Sequence, residues 1–321
     1  MVLNDIASLL KEGKKFLVAS HKDPDGDAIG SALALSEALI LYGKEVITYN
    51  AGPIPDSLSH LSGIERVVDS IDPEFDFDAL LVLDCGNIER VGEMHSVLSK
   101  IRPLINIDHH RNNSQFGDLN FVDDQSSSVG EIIYKLMKLA DFPINKSIAE
   151  NIFVSLQSDT GSFRYENTTS DTFHIAGDMV DWGVRPWKIS RNIMDLYSLK
   201  KLKLLEITLK TIELYHSGML GLLTITKEMQ SKANAREFDS EGFVDYPRLI
   251  AGVEVGALIK EAGKNFFKIS LRSNDWVNVS DLARYFGGGG HPRAAAFTME
   301  GRLEYIKREF INIAKSFLED K

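Results

Sequence analysis

Apolar runs along the first half of the chain alternate between two periods. Lys15–Ser20 (KFLVAS) reads as a buried strand. A turn rich in Pro, Gly and Asp follows it, then an apolar stretch with helical spacing from about Asp27 to Tyr42, stopped by Gly43. Strand patterns recur at Glu45–Tyr49, Asp78–Asp84 (DALLVLD) and Leu104–Asp108 (LINID), separated by helical periodicity near Leu58 and Met94. Strand and helix in alternation predict a parallel sheet with helices on both faces. Three of these strands end on polar residues: Ser20-His21, Asp84, and Asp108-His109-His110. Ligands of such sheets bind off the carboxyl ends of the strands.

Helical patterns then dominate: Ser128–Ala140, Asn145–Gln157, Ser170–Trp182 and a long amphipathic stretch from about Ser198 to Tyr215. Ser128 and Glu131 have capping-box spacing. Leu220–Thr226, Gly252–Ile259 and Phe266–Arg272 read as strands, the last two as a hairpin. A helix near Val279–Tyr285, the run Gly287–Gly290, a strand near Ala294–Thr298 and a final helix complete a second α/β unit. The pattern predicts a first domain over 1–190, a linker helix over 191–216 and a smaller α/β domain over 217–321.

Composition narrows the class without changing that outline. The 321 residues are 44% hydrophobic and 26% charged, with no apolar run long enough for a membrane span. In the first fifteen residues Asp5 interrupts the short apolar stretch and the lysines follow it. That order is the reverse of a secretory signal, so a cytoplasmic location is expected. The single cysteine, Cys85, excludes an internal disulfide or a cysteine-based zinc site, and its apolar strand context makes it a core residue. The formal charge is −10 and uneven: residues 1–216 hold 21 Lys and Arg against 32 Asp and Glu, residues 217–321 hold 15 against 14. Broad gripping of long nucleic acid needs many basic phosphate contacts, which this balance does not offer.

The acidity has a focus. SHKDPDGD (20–27) places His21, Asp23, Asp25 and Asp27 on one strand-to-helix turn. Clustered carboxylates raise one another's pKa unless a cation lies among them, and imidazole with carboxylate suits Mn²⁺, Mg²⁺ or a related divalent ion. A solvated turn with Asp27 as N-cap is the plain alternative. Asp84 and Asp108 end apolar strands, where a carboxylate adds nothing to packing. Asp159 follows an apolar helix, which it could simply close. Together His21, Asp25, Asp27, Asp84, His109 and Asp159 suffice for two divalent ions with one shared carboxylate, the arrangement that promotes in-line displacement at phosphorus. No G-x-S-x-G, P-loop or G-x-G-x-x-G motif competes.

SHKDPDGDAIGS, the strand-end Asp84, the Asp108-His109-His110 triplet and SDTGSF resemble, in order and spacing, the four motifs of the DHH phosphoesterase superfamily. The C-terminal GGGGHPRAAAF resembles the glycine-rich signature of that superfamily's substrate-binding domain, with Ala296 where the pattern commonly has glycine. In size and motif wording the chain is similar to the bacterial bifunctional oligoribonucleases, or nanoRNases, which also act as phosphatases on pAp (3′-phosphoadenosine 5′-phosphate). The resemblance implies a DHH domain and a smaller domain joined by a helical linker, with the active site in the cleft between them. It implies one Mn²⁺ held by His21, Asp25 and Asp84 and a second by Asp27, Asp84, His109 and Asp159, with Mg²⁺ or Co²⁺ as substitutes. His110 would contact the scissile phosphate, and Asp108 would orient the imidazoles. Substrates would be short RNA oligonucleotides and pAp, with no membrane and no stable complex with long nucleic acid; a homodimer is compatible with it.

In the second domain, Gly288, Gly289, Gly290 and His291 can bring backbone N–H groups against an anion, or can simply end a helix. Arg272 and Ser273 resemble the family's phosphate-binding pair, and Arg164, just past SDTGSF, is a further substrate candidate. Relatives that cleave pyrophosphate or cyclic dinucleotides share the metal motifs, but GGGGHPR disfavours pyrophosphatase. A regulator with a dead site would lack a ligand, and all six are present. The charge split makes a testable point. Dimers to pentamers are expected to be degraded faster than an oligonucleotide of about 24 nucleotides at equal strand concentration, releasing one terminal mononucleotide at a time. Endonucleolytic fragments from the longer strand would contradict it.

Overall fold

The computed structural model describes residues 2–72, 76–195 and 197–319. In chain order the elements are α1 (Val2–Glu12), β1 (Lys15–Ser20), α2 (Gly26–Leu41), β2 (Glu45–Tyr49), β3 (Val67–Val68), β4 (Ala79–Leu83), α3 (His95–Leu98), β5 (Leu104–Asp108) and β6 (Leu119–Val122). Helices α4 (Val129–Ala140), α5 (Lys146–Asp159), α6 (Ser170–Asp181) and α7 (Pro186–Ser190) follow, then a π-helical turn, Arg191–Asp195, and α8 (Leu199–Leu209). The remainder is β7 (Glu213–Tyr215), β8 (Leu220–Ile225), α9 (Lys227–Ala233), β9 (Val255–Gly263), β10 (Phe266–Ser273), α10 (Val279–Tyr285), β11 (Gly289–His291), β12 (Ala294–Glu300) and α11 (Leu303–Glu319). The chain divides into two compact units, Met1–Leu196 and Tyr197–Lys321. No helix among the described residues is long and apolar enough to cross a membrane.

In the first unit an all-parallel sheet runs β3-β2-β1-β4-β5-β6. The chain builds outward from β1 to β3, then returns to place β4 on the other side of β1. The strand order therefore reverses between β1 and β4, where α/β sheets open a crevice at their carboxyl edge. Strands β1, β4 and β5 are buried almost throughout, so they read as continuous apolar runs. One face carries the main core, with Phe16, Val18, Leu81 and Ile105 packed under α1, α2, α4 and α5. The expectation of helices on both faces is only partly met. The opposite face, with Leu17, Leu80 and Val82, is covered by α3, the 3-10 turn Ile88–Val91 and loop residues such as Met94.

Helix α2 is apolar all round because it is enclosed all round, burying thirteen residues from Gly26 to Leu39. It approaches α5 so closely that a Cβ on Gly30 would lie 2.5 Å from the Asn151 carbonyl oxygen.

The second unit has a mixed sheet, β11-β12-β10-β9-β8-β7, parallel only between β8 and β9. Helices α10 and α11 bury Leu282, Ile306 and Phe310 on one face; α8 and the segment around Phe243 cover the other. The expected linker helix over 191–216 is corrected here. Its helical part ends at Leu209, packs Leu204 and Leu205 into this second unit, and gives way to β7. Thr211 fixes the change, its hydroxyl accepting from Thr224 N at 2.9 Å and donating to Thr224 O at 3.2 Å.

Two glycine substitutions separate propensity from packing. Alanine gains about 1 kcal/mol over glycine in a helix interior. On α6, a Cβ at exposed Gly177 meets nothing within 4 Å, so Gly177→Ala is expected to raise Tm. At Gly30 the carbonyl cannot yield, and overpacking of about 1–3 kcal/mol wins, so Gly30→Ala is expected to lower Tm. Thermal melts of both variants check the opposite signs.

Candidate active site

The sharp turn after β1 is built by Asp25. Its backbone is extended and its Oδ1 accepts from the amides of Asp27 and Ala28, both at 3.0 Å, so Asp25 is the N-cap of α2. The plain alternative for this turn, Asp27 as N-cap, therefore does not hold. Asp27 lies inside the first turn and is fully buried. Its Oδ2 accepts from Val129 N at 2.8 Å; its Oδ1 accepts from Gly130 N at 3.2 Å and from the Ser155 hydroxyl at 2.5 Å. The first turn of α4 and a serine of α5 thus hold this carboxylate. Gly130 is required there, because a Cβ would overlap the Ser155 hydroxyl.

Asp84 follows β4 in a left-handed conformation, φ +57°, which turns its side chain back over the strand ends. It is 2% exposed, and its Oδ1 has no hydrogen-bond partner among the described residues. Three imidazoles surround it. His21 Nε2 lies 3.3 Å from Asp84 Oδ2 and 3.9 Å from Asp25 Oδ1. His109 Nε2 lies 3.2 Å from Asp159 Oδ2 and 3.8 Å from both Asp27 Oδ2 and Asp84 Oδ1. His110 Nδ1 lies 3.5 Å from Asp84 Oδ1.

The two histidines of the triplet are held differently. His109 Nδ1 meets the Ser126 carbonyl at 3.1 Å, which places a proton on Nδ1 and directs Nε2 at the carboxylates. His110 Nδ1 meets Asp108 Oδ1 at 2.7 Å, and the two rings stand edge to face at 79°. Asp108 also accepts from His109 N and from Asn113 Nδ2, so it fixes the triplet from behind. Asp159, the last residue of α5, completes the group.

The electrostatics record the crowding. Burial first, then the neighbouring carboxylates, push Asp27 and Asp84 well above the ordinary carboxylate range. For His109 burial acts downward, but Asp159, Asp27 and Asp84 outweigh it and carry the imidazole to about 11. His110 is raised, since Asp108 and Asp84 overcome its burial. Burial lowers His21 against the pull of Asp25. Burial pushes Asp108 up, yet the hydrogen bonds from His110 and Asn113 leave it low, hence ionised.

A divalent cation fits this donor set. His21, Asp25 and Asp84 offer donor atoms all within 4.8 Å of one another, as do Asp27, His109 and Asp159, and as do Asp84, His109 and His110. The unpartnered Asp84 Oδ1 is a buried carboxyl oxygen lacking the partner that its burial demands. Cys85 beside it is fully buried, its thiol pushed far up by burial, and belongs to the core.

The remaining residues lie elsewhere. Arg164 is on the turn that leaves α5, exposed, with Nε donating to Gly161 O at 2.7 Å. In the second unit, register sets Arg272 of β10 and His291 of β11 on either side of Ala294 of β12. Ser273 is buried, donating its amide to Arg293 O and its hydroxyl to Pro292 O. The glycine run closes α10, with the amides of Gly287 and Gly288 donating to Arg284 O and Ala283 O, both at 2.9 Å, and then enters β11. Gly289 and Gly290 pair with β12, Gly288 and Gly290 press on its backbone, and Gly287 and Gly289 face open space. Sequence reasoning missed Ser155, Ser126, Asn113 and the α4 amides, none of which carries a local signature.

Residues 15–156 match the model of the DHH family, N-terminal domain, and residues 224–320 that of the DHHA1 domain. A protein of Thermus thermophilus named bifunctional oligoribonuclease and PAP phosphatase NrnA is 31% identical over 92% of this chain and 88% of its own length. The chain belongs to the DHH family. Among solved DHH-like structures, an exopolyphosphatase-related protein from Bacteroides fragilis superposes with a TM-score of 0.91 at 28% identity, covering 99% of this chain and 95% of that one. RecJ from T. thermophilus, solved in complex with Mn²⁺, shares the fold at a TM-score of 0.55 and 15% identity, over 98% of this chain and 54% of RecJ.

The cluster predicts how this DHH protein responds to pH without metal. A carboxyl with a raised folded pKa keeps its proton after the unfolded chain has lost it, so Asp27 and Asp84 penalise folding increasingly as pH rises above the ordinary 3.8. His109 stabilises fully below 6.5 and loses that contribution as pH rises toward about 11. His21, lowered, opposes them only up to about its ordinary value. In chelator, the urea midpoint is expected to fall from about pH 7 to about pH 9, and saturating Mn²⁺ should flatten the fall. A midpoint that rises over this range in chelator would contradict the ionic state assigned to the cluster.

Proposed function

We propose that this chain is a metal-dependent phosphoesterase that hydrolyses short oligoribonucleotides to mononucleotides and removes the 3′-phosphate of pAp. The observation that carries this reading is the pair of donor groups on either side of Asp84, with its buried Oδ1 lacking a hydrogen-bond donor. His21, Asp25 and Asp84 would hold one divalent ion; Asp27, Asp84, His109 and Asp159 would hold the other. The imidazole and carboxylate donors suit Mn²⁺, with Mg²⁺ or Co²⁺ as substitutes. Such ions, when bound, neutralise charge on a phosphoryl group and acidify water. The relatives named for oligoribonuclease and PAP phosphatase activity support the substrate class.

The chain's own residues then divide the work. Asp108 fixes the ring of His110 through Nδ1, so the imidazole is held in place to meet the scissile phosphate. Asp108 and Asp84 raise its pKa, which favours the cationic form that pairs with a phosphoryl oxygen. Ser126 fixes the tautomer of His109, and Ser155 with the α4 amides fixes Asp27. On the second unit Arg272 and Ser273, with the β11 segment Gly288–His291, would bind the nucleotide's other phosphate or its sugar.

Purified protein with Mn²⁺ should hydrolyse a diribonucleotide and pAp when tested beside a cyclic dinucleotide and pyrophosphate. Asp84→Asn keeps the shape and removes the shared charge. It should cost more than about a hundredfold in kcat/KM, beyond the 10–100-fold typical of residues behind the ligands. Elemental analysis should find two ions per chain falling to one or none. Wild-type activity that survives exhaustive chelation would refute the mechanism.

A further inference from the structure

Two side chains of opposite character are anchored on the backbone of one glycine next to the carboxylate cluster. The chain leaves α5 at Asp159 and passes through three consecutive left-handed residues, Gly161, Ser162 and Phe163, with φ of +54°, +61° and +62°. This coil folds the following segment back, and the amides of Arg164 and Tyr165 both donate to Thr160 O, at 2.9 and 3.0 Å. Asn167 ties the end of the turn to the cluster, its Nδ2 donating to the carbonyls of Asp159 and Ser127.

Arg164 and Tyr165 are thereby both brought onto Gly161. Arg164 Nε donates to the Gly161 carbonyl at 2.7 Å. The ring of Tyr165 lies directly on the Gly161 Cα, where any Cβ would overlap its Cζ and both Cε atoms. That contact covers part of the ring, while the residue keeps 42% of its surface exposed. The result is an aromatic surface and a guanidinium, both fixed to a residue two positions from Asp159. A ring immobilised before binding loses little entropy when a planar group stacks on it. The nearby Phe163–Phe173 stack differs, because Phe163 also packs on Phe153 in the core.

We propose that Tyr165 is the stacking platform for a nucleobase of the substrate, with Arg164 beside it on the sugar-phosphate. This rests on the phosphoesterase reading above and adds to it that hydrolysis depends on the base as well as on the phosphate. Stacking on one aromatic residue contributes enough that its removal should lower kcat/KM for the diribonucleotide ApA roughly 5- to 100-fold in Tyr165→Ala. Tyr165→Trp and Tyr165→Phe, which keep a flat ring, should restore most of it.

The decisive experiment crosses the variant with loss of the base. ApA and two analogues, each with one base replaced by an abasic ribose, are assayed with wild type, Tyr165→Ala and, as a control on the exposed ring outside the turn, Phe173→Ala. At the stacking position, base removal should cost the wild type the same factor as the mutation, and the two losses together should exceed either alone by no more than about threefold. Phe173→Ala should behave as wild type. Losses that multiply at both base positions, failure of Tyr165→Trp to restore activity, or a Mn²⁺ affinity lowered in Tyr165→Ala by calorimetry would each overturn the platform. If wild type hydrolyses none of these substrates, the phosphoesterase reading falls separately. AMP binding measured by calorimetry then decides for the platform if Tyr165→Ala weakens it and Tyr165→Trp restores it, and against it otherwise.

Discussion

Four carboxylates, those of Asp25, Asp27, Asp84 and Asp159, meet three imidazoles in a space where two of the acids are almost fully withdrawn from water. Burying one unpaired carboxylate is costly; burying two in mutual contact is tolerable only if protons or cations lie between them. Much of the first unit serves to make that concentration of charge possible. The strand order reverses between β1 and β4, and this opens the edge at which the charged ends of β1, β4 and β5 converge. Asp84, in a left-handed backbone conformation, belongs to two of the three donor groups, one with His21 and Asp25 and one with His109 and His110.

The helices above the sheet are fitted to the same end. Asp27 can reach the cluster because α2 lies against α5, and that approach exists because Gly30 has no side chain to meet the Asn151 carbonyl. Gly130 admits the Ser155 hydroxyl in the same way, so a close helix contact and the orientation of a carboxylate oxygen are one structural fact. Packing and chemistry are therefore not separable at this corner. A change that moved α5 outward would lose core contacts and would also release Asp27.

The features legible in the sequence were those whose residues contradict their local context. Asp84 and Asp108 end apolar strands where carboxylates have no packing role, and an imidazole among three aspartates is out of place on a plain turn. Ser155 was illegible for the opposite reason: a serine within an apolar helix looks ordinary, and its partners Asp27, Ser128 and Gly130 are distant in sequence. That Asp25 rather than Asp27 caps α2 was not legible, because either aspartate satisfies the capping pattern and only backbone torsion distinguishes them. Helix α1 was read only for what it is not, a secretory signal, and β6 is too short to show a period. The helical period of α8 ran past its true end because the tie between Thr211 and Thr224 that ends it is tertiary.

In the proposed mechanism Asp84 is the carboxylate that two cations would share. Crystals soaked in Mn²⁺, with diffraction recorded above and below the manganese edge, test it most directly. Two anomalous peaks about 3.5–4 Å apart are expected, with Asp84 between them, His21 and Asp25 on one, and Asp27, His109 and Asp159 on the other. A single peak, or two peaks with Asp84 bound to neither or to only one, would contradict it.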